Sequence, residues 1–352
     1  MAPGSSKEVT LVGTLEGQDK EQRVFHFTVG TASTPTNQTP AVVYMTQEAT
    51  VTITAPFIST TLALNGDTRA DAVVAPGSRQ NVTVSYANTL PTSVTNAIVA
   101  IAISGSAVDY DSIETSNGFY RSSDHTVVFS RDTDPSLATL APGASGIGVF
   151  TFSTLPAAGL AAAPTVTFTI SVSGTRVGQT NVPEGVSASA TKVVKVATTV
   201  MLLASSLHSS GPLGNSGPVP PKADQATTYT IVLNVQNRGN AVAGGTVTTV
   251  LPGYVSYTDT TSGAGTFSYD AAAHIVSWGA GDFAQNASAQ GFFGVSLVPS
   301  TSQRGTAPAL TGPISFSGYD RFAGVQVSAT ADPVTTETRG DPGYTSSFGT
   351  VQ

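Results

Sequence analysis

Along most of the chain, apolar and polar residues alternate with a period of two. "NVTVSYAN" (81–88), "AIVAIAIS" (97–104), "TVVFSR" (126–131), "GVFTFS" (148–153) and "TVTFTISVSG" (165–174) are short runs rich in β-branched and aromatic residues. Each is bounded by Gly, Pro, Asn or Asp. This alternation predicts strands with one buried face. No stretch holds a convincing period of 3.6. "LPAAGLAAAP" (155–164) has helical propensity, but the prolines at both ends make it a loop. Without crossover helices a parallel sheet is excluded, so the expected class is all-β, built from antiparallel sandwiches.

The pattern then returns. "DHTVVF" (124–129) answers "AHIVSW" (273–278), which pairs His125 with His274 and Phe129 with Trp278. "ISVSG" ending at Gly174 answers "ISFSG" ending at Gly318, and "SAT" recurs at 189–191 and 328–330. The interval shortens along the chain, so the first copy carries longer loops. A third, partial copy opens the sequence: "VFHFTV" (24–29) matches "VFTFST" (149–154), and "ATVTI" (49–53) matches "ATKVV" (190–194). The expected organisation is the C-terminal part of a preceding domain at 1–54, complete sandwiches at 55–197 and 198–338, and a tail or linker at 339–352. A start inside a repeat points to a segment of a longer array. The opening part is expected to hold up to four strands, "EVTLVGTL" (8–15), "RVFHFTV" (23–29), "AVVYMTQ" (41–47) and "ATVTITA" (49–55), too few to bury a core alone. In the complete copies the shared frame places Val127 with Phe129, and Val276 with Trp278, on the inner face.

Composition narrows the function classes. Charged residues make up 11% of the 352 and the net charge is −7. Thr, Ser, Ala, Val and Gly take their place, as strands with hydroxyl-coated outer faces require. No basic stripe is present to draw counterions off a nucleic acid. The chain has no cysteine, which removes disulfides, thiolate metal sites and thiol nucleophiles together. No run is long and apolar enough to span a membrane as a helix. The first seven residues do not read as a signal peptide, so an export signal would belong to a longer parent.

One stretch ties the repeat to a known pattern. "TYTIVLNVQNRGNAVAGGTVTTVLPGYVSY" (228–257) predicts two strands around a turn at 237–240 and a Leu-Pro-Gly corner that redirects the chain. "YDAAAHIVSW" (269–278) follows as a further strand. Tyr229–Ile231, Asn237, Gly239–Ala241, Leu251–Gly253, Tyr269–Asp270 and Ile275–Trp278 resemble the Ig-like repeat family of large bacterial and archaeal cell-surface proteins. The middle copy matches loosely, since Thr89, Leu90 and Pro91 interrupt its turn. The wider arrangement also resembles very large surface proteins of candidate-phyla bacteria. The resemblance implies tandem Ig-like sandwiches outside the cell, acting as structural, spacer or adhesive modules, and supplies no catalytic residue.

Candidate chemistry is sparse. His26, His125, His208 and His274 lie far apart and form no ligand spacing. "PGASGIGVF" (142–150) lacks the order and the following helix of a dinucleotide loop, so it is a turn. Asp67/Asp71, Asp109/Asp111 and Asp132/Asp134 are carboxylate pairs that loops can aim at a calcium ion, yet Asp is equally a turn residue bonding its own backbone. They are the only metal candidates, and no metal, cofactor or catalytic assignment is made. Arg339-Gly-Asp341 falls past the last strand, where a short common motif carries little. The sequons at Asn37, Asn81 and Asn286 follow from composition. Lys192 and Lys195 have opposite strand parity, so one points inward, as an internal isopeptide bond would need. The expected partners are neighbouring domains of the array and, in an adhesin reading, a surface protein or glycan bound by loops of the terminal sandwich. "GFYRSSD" (118–124) and "GYDRFAG" (318–324) are the best aromatic surfaces for that.

Overall fold

The computed structural model describes residues 4–12, 22–34, 39–52, 57–177 and 185–352. A two-stranded antiparallel ribbon comes first, β1 (Gln22–Thr31) and β2 (Val42–Thr52). The strands expected at 41–47 and 49–55 are joined in β2 through Glu48, which stays paired with His26, and residues 53–55 lie outside the described residues. Residues 8–12 form no strand, and 13–15 lie outside the described residues.

Eleven strands follow: β3 (Ile58–Leu64), β4 (Val73–Val74), β5 (Arg79–Asn88), β6 (Val94–Ser104), β7 (Val108–Thr115), β8 (Phe119–Arg121), β9 (Thr126–Phe129), β10 (Thr139–Leu140), β11 (Ser145–Thr154), β12 (Thr165–Arg176) and β13 (Gly185–Val196). One sheet runs β3-β5-β11-β7, the other β4-β13-β12-β6-β9-β8, with β10 also beside β6. Their inner faces share one core, where Val84, Ile101, Phe129, Phe150 and Phe168 are buried.

The chain then builds β14 (Thr199–Leu207), β15 (Thr227–Arg238), β16 (Val242–Val250), β17 (Val255–Gly263), β18 (Thr266–Asp270), β19 (Ile275–Phe283), β20 (Ser288–Leu297), β21 (Ile314–Asp320) and β22 (Val325–Ala331). Here the sheets run β14-β15-β20-β17 and β18-β19-β16-β21-β22 around a second core. Strand for strand this is the order of the first pair, less β4 and β10. Among the described residues all strand pairings are antiparallel except β4 with β13, where Val73 and Val74 lie parallel to Lys195 and Val196. The 155–164 loop contains one 3-10 turn, Ala157–Gly159.

The shared frame stands in the packing. Val127, Phe129, Val276 and Trp278 are all buried. Each large ring lies against a glycine of the facing sheet. A Cβ on Gly148 would sit 2.5 Å from the Phe129 ring, and one on Gly291 would sit 2.6 Å from the Trp278 ring. Two glycines in equivalent strands therefore make room for two rings in equivalent strands.

His125 and His274 also match, though in turns and not in the strands themselves. Both are left-handed, at φ 53° and 55°, immediately before β9 and β19. Their carbonyls accept from Ile103 N and Leu251 N at 3.0 and 2.8 Å. Their Nδ1 atoms lie 3.0 and 3.1 Å from the hydroxyls of Tyr120 and Tyr269, each five residues upstream. The role is structural: each histidine fixes the turn between two strands.

The chain enters each sandwich at one end and leaves at the other. β3 ends beside β13, where Lys192 Nζ donates to Leu62 O at 3.1 Å, and β13 continues to Val196. β14 starts near the β21–β22 turn, while Ala331 pairs with Ile314 at the far end. If "ATVTI" in β2 answers "ATKVV" in β13, the strand paired with it, β1 with "VFHFTV", answers β12 and not the β11 segment "VFTFST". Local similarity misleads here because most strands carry the same alternation.

Candidate functional site at the junction of the sandwiches

Between Val196 and Thr199 two residues link one sandwich to the next, and a buried polar cluster grips them. The alternation that buries Ile314, Phe316 and Gly318 carries on to Asp320, which is fully buried. Its Oδ2 accepts from Thr198 N at 2.7 Å and from Asn240 Nδ2 at 2.9 Å. Its Oδ1 accepts from the backbone of Phe322 and Ala323, both at 2.9 Å. Four donors around one carboxylate offset the desolvation that burial imposes.

Asn240 Nδ2 also donates to Val196 O at 3.0 Å, so this amide holds the last residue of the first sandwich and the carboxylate of the second. Thr198 Oγ1 donates to Asn237 Oδ1 at 2.6 Å. Asn237 Nδ2 donates to Asn240 O and Ala284 O at 2.7 and 2.9 Å. Lys195 Nζ reaches Phe322 O at 2.9 Å and lies 5.2 Å from the centre of its ring. The linker is held on both sides by groups of the second sandwich. Asn237, Gly239, Asn240 and Ala241, read from sequence as a turn, build much of this grip.

Beside the linker lies an open cleft of about 870 Å³. The 64–74 segment and β13 of the first sandwich line it with Asn65, Asp67, Arg69, Asp71 and Lys195, and the turn at Ala323–Val325 closes it from the second. Asp67 and Asp71 thus share one cleft, but Asp67 is occupied. Its carboxylate accepts from Arg69 Nε at 2.9 and 3.1 Å and from Nη2 at 2.7 Å. That fork holds its pKa down at about 2.

The other acidic candidates lie elsewhere. Asp111 and Asp132 are exposed, and Asp132 lies 3.8 Å from Arg131. Asp109 accepts from Ser112 Oγ at 2.6 Å through its backbone carbonyl. Asp134 caps the 3-10 turn Pro135–Ala138, accepting from Ser136, and its Oδ2 accepts from the Tyr86 hydroxyl at 2.8 Å. The Ser136 hydroxyl lowers its pKa most, with the Tyr86 hydroxyl adding to that against the opposing effect of burial. Burial and this anionic neighbour push the Tyr86 hydroxyl up to about 12. Among the described residues no three His, Asp or Glu side chains converge as metal ligands.

The 339–352 segment, expected as a tail or linker, is docked on the second sandwich. Asp341 is buried, its carboxylate accepting from the backbone of His208, Ser209 and Ser210 at 2.7, 3.1 and 3.0 Å and from Ser210 Oγ at 2.6 Å. Burial alone would raise its pKa; the donors, Ser210 Oγ foremost, outweigh it and hold the group low. Val351 N donates to Thr306 O and Val351 O accepts from Gly305 N, both at 2.9 Å, and Thr336 Oγ1 donates to Gly349 O at 2.6 Å. The Arg-Gly-Asp aspartate is therefore used inside the fold. Of the two lysines with opposite parity, Lys192 points inward, but its Nζ donates to the carbonyls of Leu62 and Asp67. Burial pulls its pKa down. In the two aromatic stretches, Phe119 and Tyr319 are exposed, while Tyr120 and Phe322 are half-buried against His125 and Lys195.

Comparison with known proteins adds little. No protein-family model matches the chain, and no curated protein matches it. Among solved structures, it is similar to the C-terminal domain of the antigen I/II polypeptide BspA of Streptococcus agalactiae. The identity is 10% over 79% of this chain and 99% of that one, with a TM-score of 0.30. The C-terminal domain of the antigen I/II-family protein AspA of Streptococcus pyogenes gives 10% identity over 79% and 98%, with a TM-score of 0.28. Scores this low establish no shared arrangement. The all-β class rests on the chain's own sheets.

Proposed function

We propose that the chain is a non-catalytic structural module of a cell-surface repeat protein, in which Ig-like sandwiches at 55–197 and 198–338 are set end to end to extend and orient what they carry. The pinned linker supports this reading above all else. A flexible tether needs no buried carboxylate, whereas a spacer must transmit direction from one unit to the next. At this junction Asp320 and Asn237 hold Thr198, and Asn240 holds the Val196 carbonyl before the linker, through bonds that bending would break. Hydroxyl-rich outer faces and the resemblance at 229–278 fit the same role at a surface.

Small-angle X-ray scattering and interdomain residual dipolar couplings test it. The wild type is expected to show one elongated shape and a single alignment tensor. Asp320→Ala is expected to show two independent tensors while both cores stay folded. Independent tensors in the wild type would remove the proposal. The cleft beside the linker favours a second reading, an adhesive module that binds a glycan or protein there. A glycan array probed with the whole chain and with Arg69→Ala separates the two.

A further inference from the structure

Asn-Gly occurs twice in the sequence, at Asn65-Gly66 and Asn117-Gly118, and both pairs lie in the first sandwich. Such a pair carries a latent reaction. The glycine nitrogen has no side chain beside it to hinder attack on the asparagine amide carbon. Once deprotonated, that nitrogen bonds to Cγ as the Cγ–Nδ2 bond breaks and ammonia leaves. Water then opens the five-membered imide at either carbonyl, giving aspartate or isoaspartate. No other reactant is needed.

The fold calls for both glycines. Gly66 is left-handed at φ 83°, beside Asn65 at φ 51°, in a two-residue turn that Leu64 and Asp67 close with reciprocal backbone bonds of 2.8 Å. Gly118 passes so close to Phe129 that a Cβ there would sit 2.6 Å from its ring. Protection therefore falls to the asparagines. Asn65 Nδ2 donates to Gln80 Oε1 at 2.7 Å, and its Oδ1 accepts from Asn81 N at 2.9 Å. Asn117 Nδ2 donates to Ile147 O at 2.9 Å, and its Oδ1 accepts from Val149 N at 3.0 Å. Each amide is held at both ends by a neighbouring strand, β5 in one case and β11 in the other. Cyclisation needs the amide to swing back to its own backbone, which breaks both bonds at once. Burial is not what holds the first pair, since Asn65 and Gly66 are exposed.

We infer that Asn65 and Asn117 are latent modification sites. They lose their amides by cyclising onto Gly66 and Gly118 when the first sandwich opens, and their cross-strand bonds hold them inert while it stays closed. The products do not fit back. A carboxylate at 117 faces the Ile147 carbonyl. One at 65 faces the Gln80 oxygen, because the Gln80 nitrogen is committed to Ser78 O and Oγ. Opening of the first sandwich thus leaves a permanent chemical mark, whereas the second, without an Asn-Gly pair, keeps none.

Peptide mapping by mass spectrometry tests it, after the full chain is incubated in mildly alkaline buffer either folded or in urea. Both pairs are expected to convert in urea and to run at least about tenfold slower in the folded chain, where reaction waits for local opening. Gln80→Ala removes the acceptor of the Asn65 amide. In the folded chain it is expected to speed conversion at Asn65 about fivefold, the effect of one lost hydrogen bond, while Asn117 keeps the wild-type rate. Equal rates in folded and unfolded wild type at either pair would overturn the inference, whether or not the variant folds. So would an unchanged rate at Asn65 in Gln80→Ala.

Discussion

The two sandwiches share their strand order, but they differ at the end where the chain comes in. Val242 pairs with Asp320 in the second and Val94 with Arg176 in the first, so register places the two charged residues at equivalent positions. Both are buried. Asp320 holds the linker, whereas Arg176 stands where that anion would be. Asn88, the counterpart of Asn237, keeps its task in the first sandwich. Its Nδ2 donates to Thr92 O and Leu140 O at 2.9 Å, much as Asn237 reaches Asn240 O and Ala284 O. The common scaffold needs the asparagine to close its own corner. At the charged position the two differ: a carboxylate that takes the Thr198 backbone in the second sandwich, a guanidinium in the first.

The largest effects should come from what the sandwiches share. Trp278→Ala and Phe129→Ala are each expected to cost about 3–5 kcal/mol, because each leaves a cavity over a glycine that cannot fill it. Chemical denaturation of the full chain should lose stability in the second unit for the first variant and in the first unit for the other. Equal effects of either variant on both units would show that the cores are not independent.

Asp320→Ala should cost about 1–3 kcal/mol in the second unit by orphaning buried donors, and it alone should free the linker. Asp341→Ala, at the opposite end, should cost a similar amount without changing the interdomain tensors. Asp341 also sets a pH dependence. Its folded pKa lies below the ordinary carboxylate value, so its stabilisation is full above about pH 4 and is lost as pH falls through the folded value. Acid titration of the second unit should show this loss, and Asp341→Asn should flatten it.

Replacing either turn histidine separates backbone from side chain. Asn accepts the left-handed conformation and Val does not. His125→Asn and His274→Asn should each cost under about 1 kcal/mol, and the Val variants more. The smallest expected effect is that of calcium. Melts with calcium and with EDTA should coincide, since Asp67 is taken by Arg69 and Asp134 by Ser136 and Tyr86. A marked upward shift with calcium would return the acidic loops to the list of sites.

Much of the architecture is legible in the sequence, because period two and boundary residues are local signals. Phe129 and Trp278 could be placed inside from the strand frame alone. Their glycine partners could not, since Gly148 and Gly291 lie on a facing sheet whose register no local pattern gives. The junction was half visible. Asp320 ends a strand on the inward parity of Ile314, Phe316 and Gly318, and a charge in that position is a signal that the aromatic reading of "GYDRFAG" passed over. Its partners Thr198 and Asn240 come from far away in sequence, so only the folded chain shows that they meet. Asp341 gave no sign, because the backbone groups it gathers at 208–210 belong to a loop without periodicity.

Opposed points of arrival and departure have a mechanical consequence. Tension applied to the two ends runs along β14, whose first residue is tied to Asp320 through Thr198 and whose ladder with β15 extends from Thr199 to Leu207. A force along that axis slides β14 past β15 in shear and strains every rung of the ladder together. A chain that arrived and left at one end would instead be unzipped rung by rung, each giving way for about 1 kcal/mol. Loaded in shear, the β14–β15 ladder gives way as one unit and not one rung at a time.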